Sequence, residues 1–137
     1  MKCELVSSLA DVNRNEWDSL NTSNHPFTSY DFLNSLEMSE SVTAKTGWNP
    51  QHIIIKNNTG NIIGASPNYL KMHSYGEYIF DHAWANAFEN AGGQYYPKLL
   101  SAIPFTPATG PRVLIDPKNP NHDKIFELII NMFEVIV

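Results

Sequence analysis

Residues 121–137 set Ile125, Leu128, Ile129, Met132, Phe133 and Ile136 at i, i+3, i+4, i+7 spacing, the pattern of an amphipathic helix. A stripe this apolar must be buried against another element, so it dictates a layered fold and excludes a free-standing helix. It runs apolar to Val137, with no glycine, basic turn or polar tail to end it. The expectation is a domain whose closing strands lie downstream, making residues 1–137 a single N-terminal domain or half-domain of a longer chain. The same helix, Asn121–Val137, could also dock on a second copy.

The remaining elements supply the layer. Lys2–Val6 alternates as a short strand. Ser8 with Asp11, and Thr28 with Asp31, resemble capping boxes with an acidic residue in place of Glu or Gln. They open two helices, one carrying Leu9, Val12, Trp17 and Leu20, the other Phe32, Leu33 and Leu36. A loop through Gly47, Trp48 and Pro50 leads to Ile53-Ile54-Ile55, the apolar run of a buried strand. Asn57-Asn58-Thr59-Gly60 has the chemistry of a turn with positive φ, so residues 51–70 form a β-hairpin, with Pro67 bending its second strand. Asp81 precedes a helix over 82–91 that Gly92-Gly93 stops, and Leu99–Ile103 and Arg112–Ile115 are further strands. The predicted order is β-α-α-β-β-α-β-β-α, an α+β (α/β layered) domain.

At 137 residues the chain suffices for one core. Hydrophobic content of 42% and charged content of 17% are those of a globular protein. A formal charge of −5 argues against DNA or an anionic membrane as a long-range partner. Cys3 has no second cysteine to pair with and reads as a small apolar side chain in the first strand. No run approaches the roughly 20 apolar residues of a membrane helix, and the first residues lack a signal-peptide core. A cytoplasmic location without membrane insertion is the resulting expectation.

The chemistry concentrates in Tyr69–Arg112, which holds nine of the sixteen aromatic residues together with Lys71, Glu77, Asp81, Lys98 and Arg112. Aromatic walls with a few convergent polar groups describe a small-molecule pocket. Tyr75, Trp84 and Tyr96 are candidate walls, and Lys71, Lys98 and Arg112 candidate anion contacts. Asp81 has two readings. It can cap the helix that follows, the commoner local role, or act as a general base whose pKa is raised by Tyr78, Phe80 and Trp84 around it. Glu77, in a loop after Gly76, competes for the base role. Gly64-Ala65-Ser66-Pro67 begins like a nucleophile elbow but has Asn68 where the second glycine belongs. His25, His52, His73, His82 and His122 lack metal-ligand spacing, and no phosphate-binding glycine loop is present.

These motifs carry a resemblance. Tyr69-Leu70-Lys71-x-His73-Ser74-Tyr75-Gly76-Glu77-Tyr78-x-Phe80-Asp81 is followed by Trp84-Ala85 and Tyr95-Tyr96-Pro97-Lys98-Leu99. Pro104-Phe105-Thr106-Pro107-x-Thr109-Gly110-Pro111-Arg112 completes the series. With Pro26-Phe27 and Thr46-Gly47-Trp48-x-Pro50 upstream, they resemble the FemAB-like family of bacterial GNAT-type N-acyltransferases, linked to peptidoglycan biosynthesis, over roughly residues 20–115. The resemblance implies transfer of an acyl or aminoacyl group to an amine, such as a small molecule or cell-wall precursor. Acyl-CoA or aminoacyl-tRNA would be the donor substrate, with no permanently bound cofactor. Asp81 or Glu77 would be the base. A GNAT carrier site uses a glycine-rich turn before a helix, whereas Asp116-Pro117-Lys118-Asn119-Pro120 has no glycine, so the donor would bind mainly elsewhere. The competing expectation is a non-catalytic remnant or ligand-binding module that keeps the pocket motif.

Overall fold

The computed structural model describes residues 1–78 and 80–137. Two antiparallel sheets organise them. The first has the strand order β1-β3-β4-β7, from β1 (Lys2–Val6), β3 (His52–Lys56), β4 (Ile62–Ser66) and β7 (Leu114–Ile115). The second has the order β2-β5-β6, from β2 (Trp48–Pro50), β5 (Tyr69–Lys71) and β6 (Lys98–Leu100). Helices α1 (Arg14–Leu20), α2 (Tyr30–Met38), α3 (His82–Asn90) and α4 (His122–Ile136) complete an α+β fold.

The triple isoleucine explains the layering. Successive side chains of a strand point to opposite faces. Ile54 joins Leu9, Val12, Trp17, Leu20 and Leu33 under α1 and α2. Ile53 and Ile55 join Ile115, Ile125 and Ile129 under α4. Leu128, Met132, Phe133 and Ile136 pack, partly buried, against that second cluster, so the predicted stripe of α4 faces this sheet with Ile125 and Ile129 at its centre. Gly64 lets the helix close in, since a Cβ there would stand 2.5 Å from Ile125 Cγ2. The hairpin turn forms as expected: Gly60 has φ +87°, and Asn57 Oδ1 accepts from the backbone N–H groups of Thr59 and Asn61.

Five local expectations change. The helix start at Ser8 yields only a 3₁₀ turn, Leu9–Asp11, and α1 begins afresh with Asn13 Oδ1 accepting from Glu16 N. Thr28 ends a second 3₁₀ turn, leaving Ser29 to cap α2. The segment Asn61–Leu70 is not one strand: after Ser66 it turns at Pro67-Asn68 and enters the second sheet as β5. Trp48–Pro50, expected in a loop, pairs with β5 as β2. The strands near Leu99 and Arg112 shorten to Lys98–Leu100 and Leu114–Ile115.

A buried pair fixes the junction between the sheets. His52 Nδ1 accepts from Asn68 N, which leaves Nε2 to donate to Glu37 Oε2 at 2.9 Å. Glu37 Oε1 accepts from Leu9 N. This Glu–His pair ties α2, β3 and the Pro67-Asn68 corner together, and His52 is wholly buried. Its imidazole has both nitrogens occupied, so it is a structural tie.

Candidate functional site: an ionic cluster beside an aromatic cleft

The register of the second sheet creates the site. Pairing of β5 with β6 sets Lys71 directly opposite Lys98. Like charges in that relation repel. The loop after β5 returns Glu77 between them: Oε1 accepts from Lys98 Nζ at 2.7 Å, and Oε2 lies 3.2 Å from Lys71 Nζ. Asp81 adds a second carboxylate, its Oδ2 held by Lys98 Nζ and by the Tyr95 hydroxyl, the latter at 2.6 Å. Two ammonium groups and two carboxylates therefore balance.

The surroundings sharpen each group. The Lys71 side chain is wholly buried, donates to Tyr75 O at 2.6 Å and stands 3.8 Å from the Trp48 ring centroid. Burial holds its pKa below the usual lysine value, and the Glu77 contact only partly offsets this. For Lys98, burial acts downward too, but Asp81 and Glu77 outweigh it and raise the ammonium's pKa. Lys98 Nζ also donates to Ser74 Oγ, which bonds the Tyr96 hydroxyl at 2.5 Å. Because Lys98 stays protonated, this Ser–Lys contact cannot activate Ser74 as a nucleophile.

Asp81 departs from both sequence readings. It stands at the N-cap position of α3 but makes no capping bond with its side chain. Burial pushes its carboxyl up, yet hydrogen bonds from Lys98, Ser74 and Tyr95 win and hold it well below the usual carboxylate range. The rings expected to enclose it are themselves largely exposed: Tyr78, Phe80 and Trp84 are 57%, 80% and 76% exposed. A carboxylate so strongly stabilised is a weak proton acceptor.

A cleft of about 100 Å³ opens beside the cluster, lined by Trp48, Glu77, Tyr78 and Leu100, by residues 102–103 and 106–108, and by Arg112. Glu77 is the only cluster member on its wall. Gly76, at φ +78°, makes that wall possible, since a Cβ would stand 2.8 Å from the Phe105 ring and 3.0 Å from Trp48 Nε1. Arg112 lies at the rim, its guanidinium donating to Gly110 O and Ala108 O. The space suits a side chain or small acyl group and is far below the several hundred Å³ of a drug-sized pocket.

The predicted residues are thus divided. Lys71, Glu77, Asp81, Lys98 and Tyr96 meet in one network, and Arg112 joins Glu77 at the cleft. The side chains of Tyr75 and Trp84 stand apart, these residues being 73% and 76% exposed, and Tyr75 joins the network only through its backbone carbonyl. Trp48 and Ser74 lacked any assigned role in the sequence reading. The Lys71↔Lys98 pairing would have pointed to both, but strands of three residues carry too little pattern to align. Among the described residues, no group of three or more His, Cys, Asp or Glu is placed to hold a metal ion. Among the described residues, too, no helix is long and apolar enough to cross a membrane.

Comparison with known protein families matches the FemAB-like family, described as peptidoglycan biosynthesis/recognition, over residues 8–136. The chain belongs to the FemAB-like family. The match extends well beyond the motifs, taking in α1 and all of α4. No curated protein and no solved structure matches. Family membership places the role of this FemAB-like chain in peptidoglycan biosynthesis or recognition.

Proposed function

We propose that this chain contributes to an N-acyltransferase that moves an acyl or aminoacyl group from acyl-CoA or aminoacyl-tRNA to an amine of a cell-wall precursor. The observation that supports this reading is the position of Glu77, a residue that belongs both to the ionic cluster and to the cleft wall. Glu77 takes the proton of the attacking amine as the amide bond forms, and returns it to the carrier's sulfur or oxygen as the thioester or ester bond breaks, so that the carrier leaves as a free thiol or hydroxyl. Lys71 and Lys98 hold it in place, and Asp81 positions Lys98. Arg112 supplies positive charge to the same cleft. An amine needs only a positioned base and a stabilised oxyanion, with no covalent enzyme intermediate. The cleft is too small for a whole carrier, so the donor's bulk lies outside it.

Incubation with radiolabelled acyl-CoA or aminoacyl-tRNA and a precursor amine tests this. Glu77→Gln should lower transfer by about 10²–10⁴-fold, the usual contribution of a general base, with the fold retained by circular dichroism. Full activity in a folded Glu77→Gln variant overturns the assignment.

A binding module without catalysis is the second reading. Mutual neutralisation of the four charges and the depressed Asp81 pKa favour it. It predicts ligand heat in calorimetry with no transfer from any donor.

A further inference from the structure

Arg112 is set apart from the other basic side chains. Lys2, Arg14, Lys56, Lys71 and Lys98 each pair with a carboxylate. Lys45, Lys118 and Lys124 make no such pair among the described residues, but they are exposed, so water screens them. Arg112 is half-buried and still has no carboxylate partner among the described residues. Two of the five N–H groups of its guanidinium go to Gly110 O and Ala108 O, which carry no net charge. Burial lowers its pKa, a cost that an anion beside it would offset.

The cleft leaves this charge uncancelled. Glu77 lines the same cleft, but Lys71 and Lys98 hold its carboxylate, and the four charges of the cluster balance without Arg112. One positive charge therefore remains at a space of about 100 Å³ whose other walls, including Trp48, Leu100, Ala102, Ile103 and Pro107, are apolar. Such walls suit a short carbon chain better than the several oxygens of a phosphate. A few methylene groups ending in a carboxylate match both the walls and the charge.

We propose that the acyl group transferred carries a carboxylate of its own, as a succinyl group does, with that carboxylate on Arg112 and its methylenes against Leu100, Ala102 and Pro107. This rests on the transferase reading above, with an acyl-CoA as donor. The amine nitrogen bonds the thioester carbonyl carbon, the C–S bond breaks, and the amine's proton ends on the departing thiol. The distal carboxylate is unchanged and serves recognition alone.

Succinyl-CoA, butyryl-CoA (four carbons without the charge) and acetyl-CoA, each with the acceptor amine of the assay above, test the choice. Succinyl transfer should exceed both others about tenfold in kcat/KM, the worth of one partly exposed ion pair. Arg112→Gln should bring the ratio to about one, while Arg112→Lys, which keeps the charge, should retain a preference. Equal or faster butyryl or acetyl transfer by the unaltered chain overturns the proposal and leaves the transferase reading standing. Transfer from no donor overturns the transferase reading instead, and a binding measurement then decides the ligand class of the cleft. N-methylsuccinamate, titrated into the ¹⁵N-labelled unaltered chain, should shift the Arg112 Nε–H and Trp48 indole signals with a Kd on the order of 1 mM, as expected for a ligand of this size. N-methylbutyramide should bind about tenfold more weakly. Equal binding of the two amides, or tighter binding of inorganic phosphate, removes the carboxylate site whatever the transfer assay gives.

Discussion

The two sheets solve the problem of burial in different ways. The β1-β3-β4-β7 sheet is covered on both faces, and its contacts are almost all aliphatic or aromatic. The β2-β5-β6 sheet has a small apolar cluster of Val42, Trp48 and Tyr69, and beside it a buried network of four charges. Apolar packing is non-directional and tolerates adjustment, whereas a charge network requires every partner in place. The first sheet therefore acts as scaffold. The second can change its interactions when a ligand brings one more hydrogen bond or charge.

Two variants expose that contrast most strongly. Trp17 is wholly buried among Leu9, Leu20 and Leu33, and its Nε1 donates to Thr28 O at 3.0 Å. Trp17→Ala should cost about 3–5 kcal/mol, read from urea denaturation, through cavity formation and the lost bond. In the second sheet, Lys98→Met should cost about 3 kcal/mol by leaving Glu77 and Asp81 beside each other with only Lys71 nearby. Adding Asp81→Leu should recover part of that loss, because the pair is removed together. No recovery in the double-mutant cycle would show that Asp81 and Lys98 do not act as a unit.

Acid separates the two regions again, with a smaller effect. The folded pKa of Asp81 lies below its unfolded value of about 3.9, so the unfolded chain takes up the proton first. The associated stability is complete above about pH 5 and is lost as pH falls towards the folded value. Wild type should therefore lose about 1 kcal/mol more than Asp81→Asn between pH 6 and pH 3. Parallel stability curves for the two proteins would contradict the hydrogen-bonded carboxylate. Apolar contacts under α4 should contribute nothing to this difference.

Legibility of the sequence followed the same division. Periodicity identified α4 residue by residue, and Ile53-Ile54-Ile55 announced a strand covered on both faces, because burial repeats at fixed intervals. The FemAB-like resemblance, seen in residues 20–115, is matched over 8–136. The site was legible as composition but not as geometry. Lys71, Glu77, Asp81 and Lys98 were all noticed, yet their meeting depends on a three-residue register and on a loop that folds Glu77 back. Neither has a periodic signature. Asp81 illustrates the consequence: its local sequence suggests a cap, but donors from residues 95 and 98 take the carboxylate instead.

Trp84 gives the smallest predicted effect and a test of how the aromatic segment is used. In sequence it shares a face with Ala87, Phe88 and Ala91, which ordinarily means core. In the fold, Ala85 is the only buried residue of α3, while Trp84 and Phe88 are 76% and 51% exposed. A side chain with so little packing has little to lose, so Trp84→Ala should change stability by less than about 0.5 kcal/mol. Against the several kcal/mol expected at Trp17, this is a comparison of one residue type in two environments. A loss above about 2 kcal/mol would mean that α3 packs its indole inward in solution. With stability unchanged, Trp84 fluorescence should remain red-shifted and readily quenched by acrylamide, in contrast to Trp17, as measured in variants that each retain a single tryptophan.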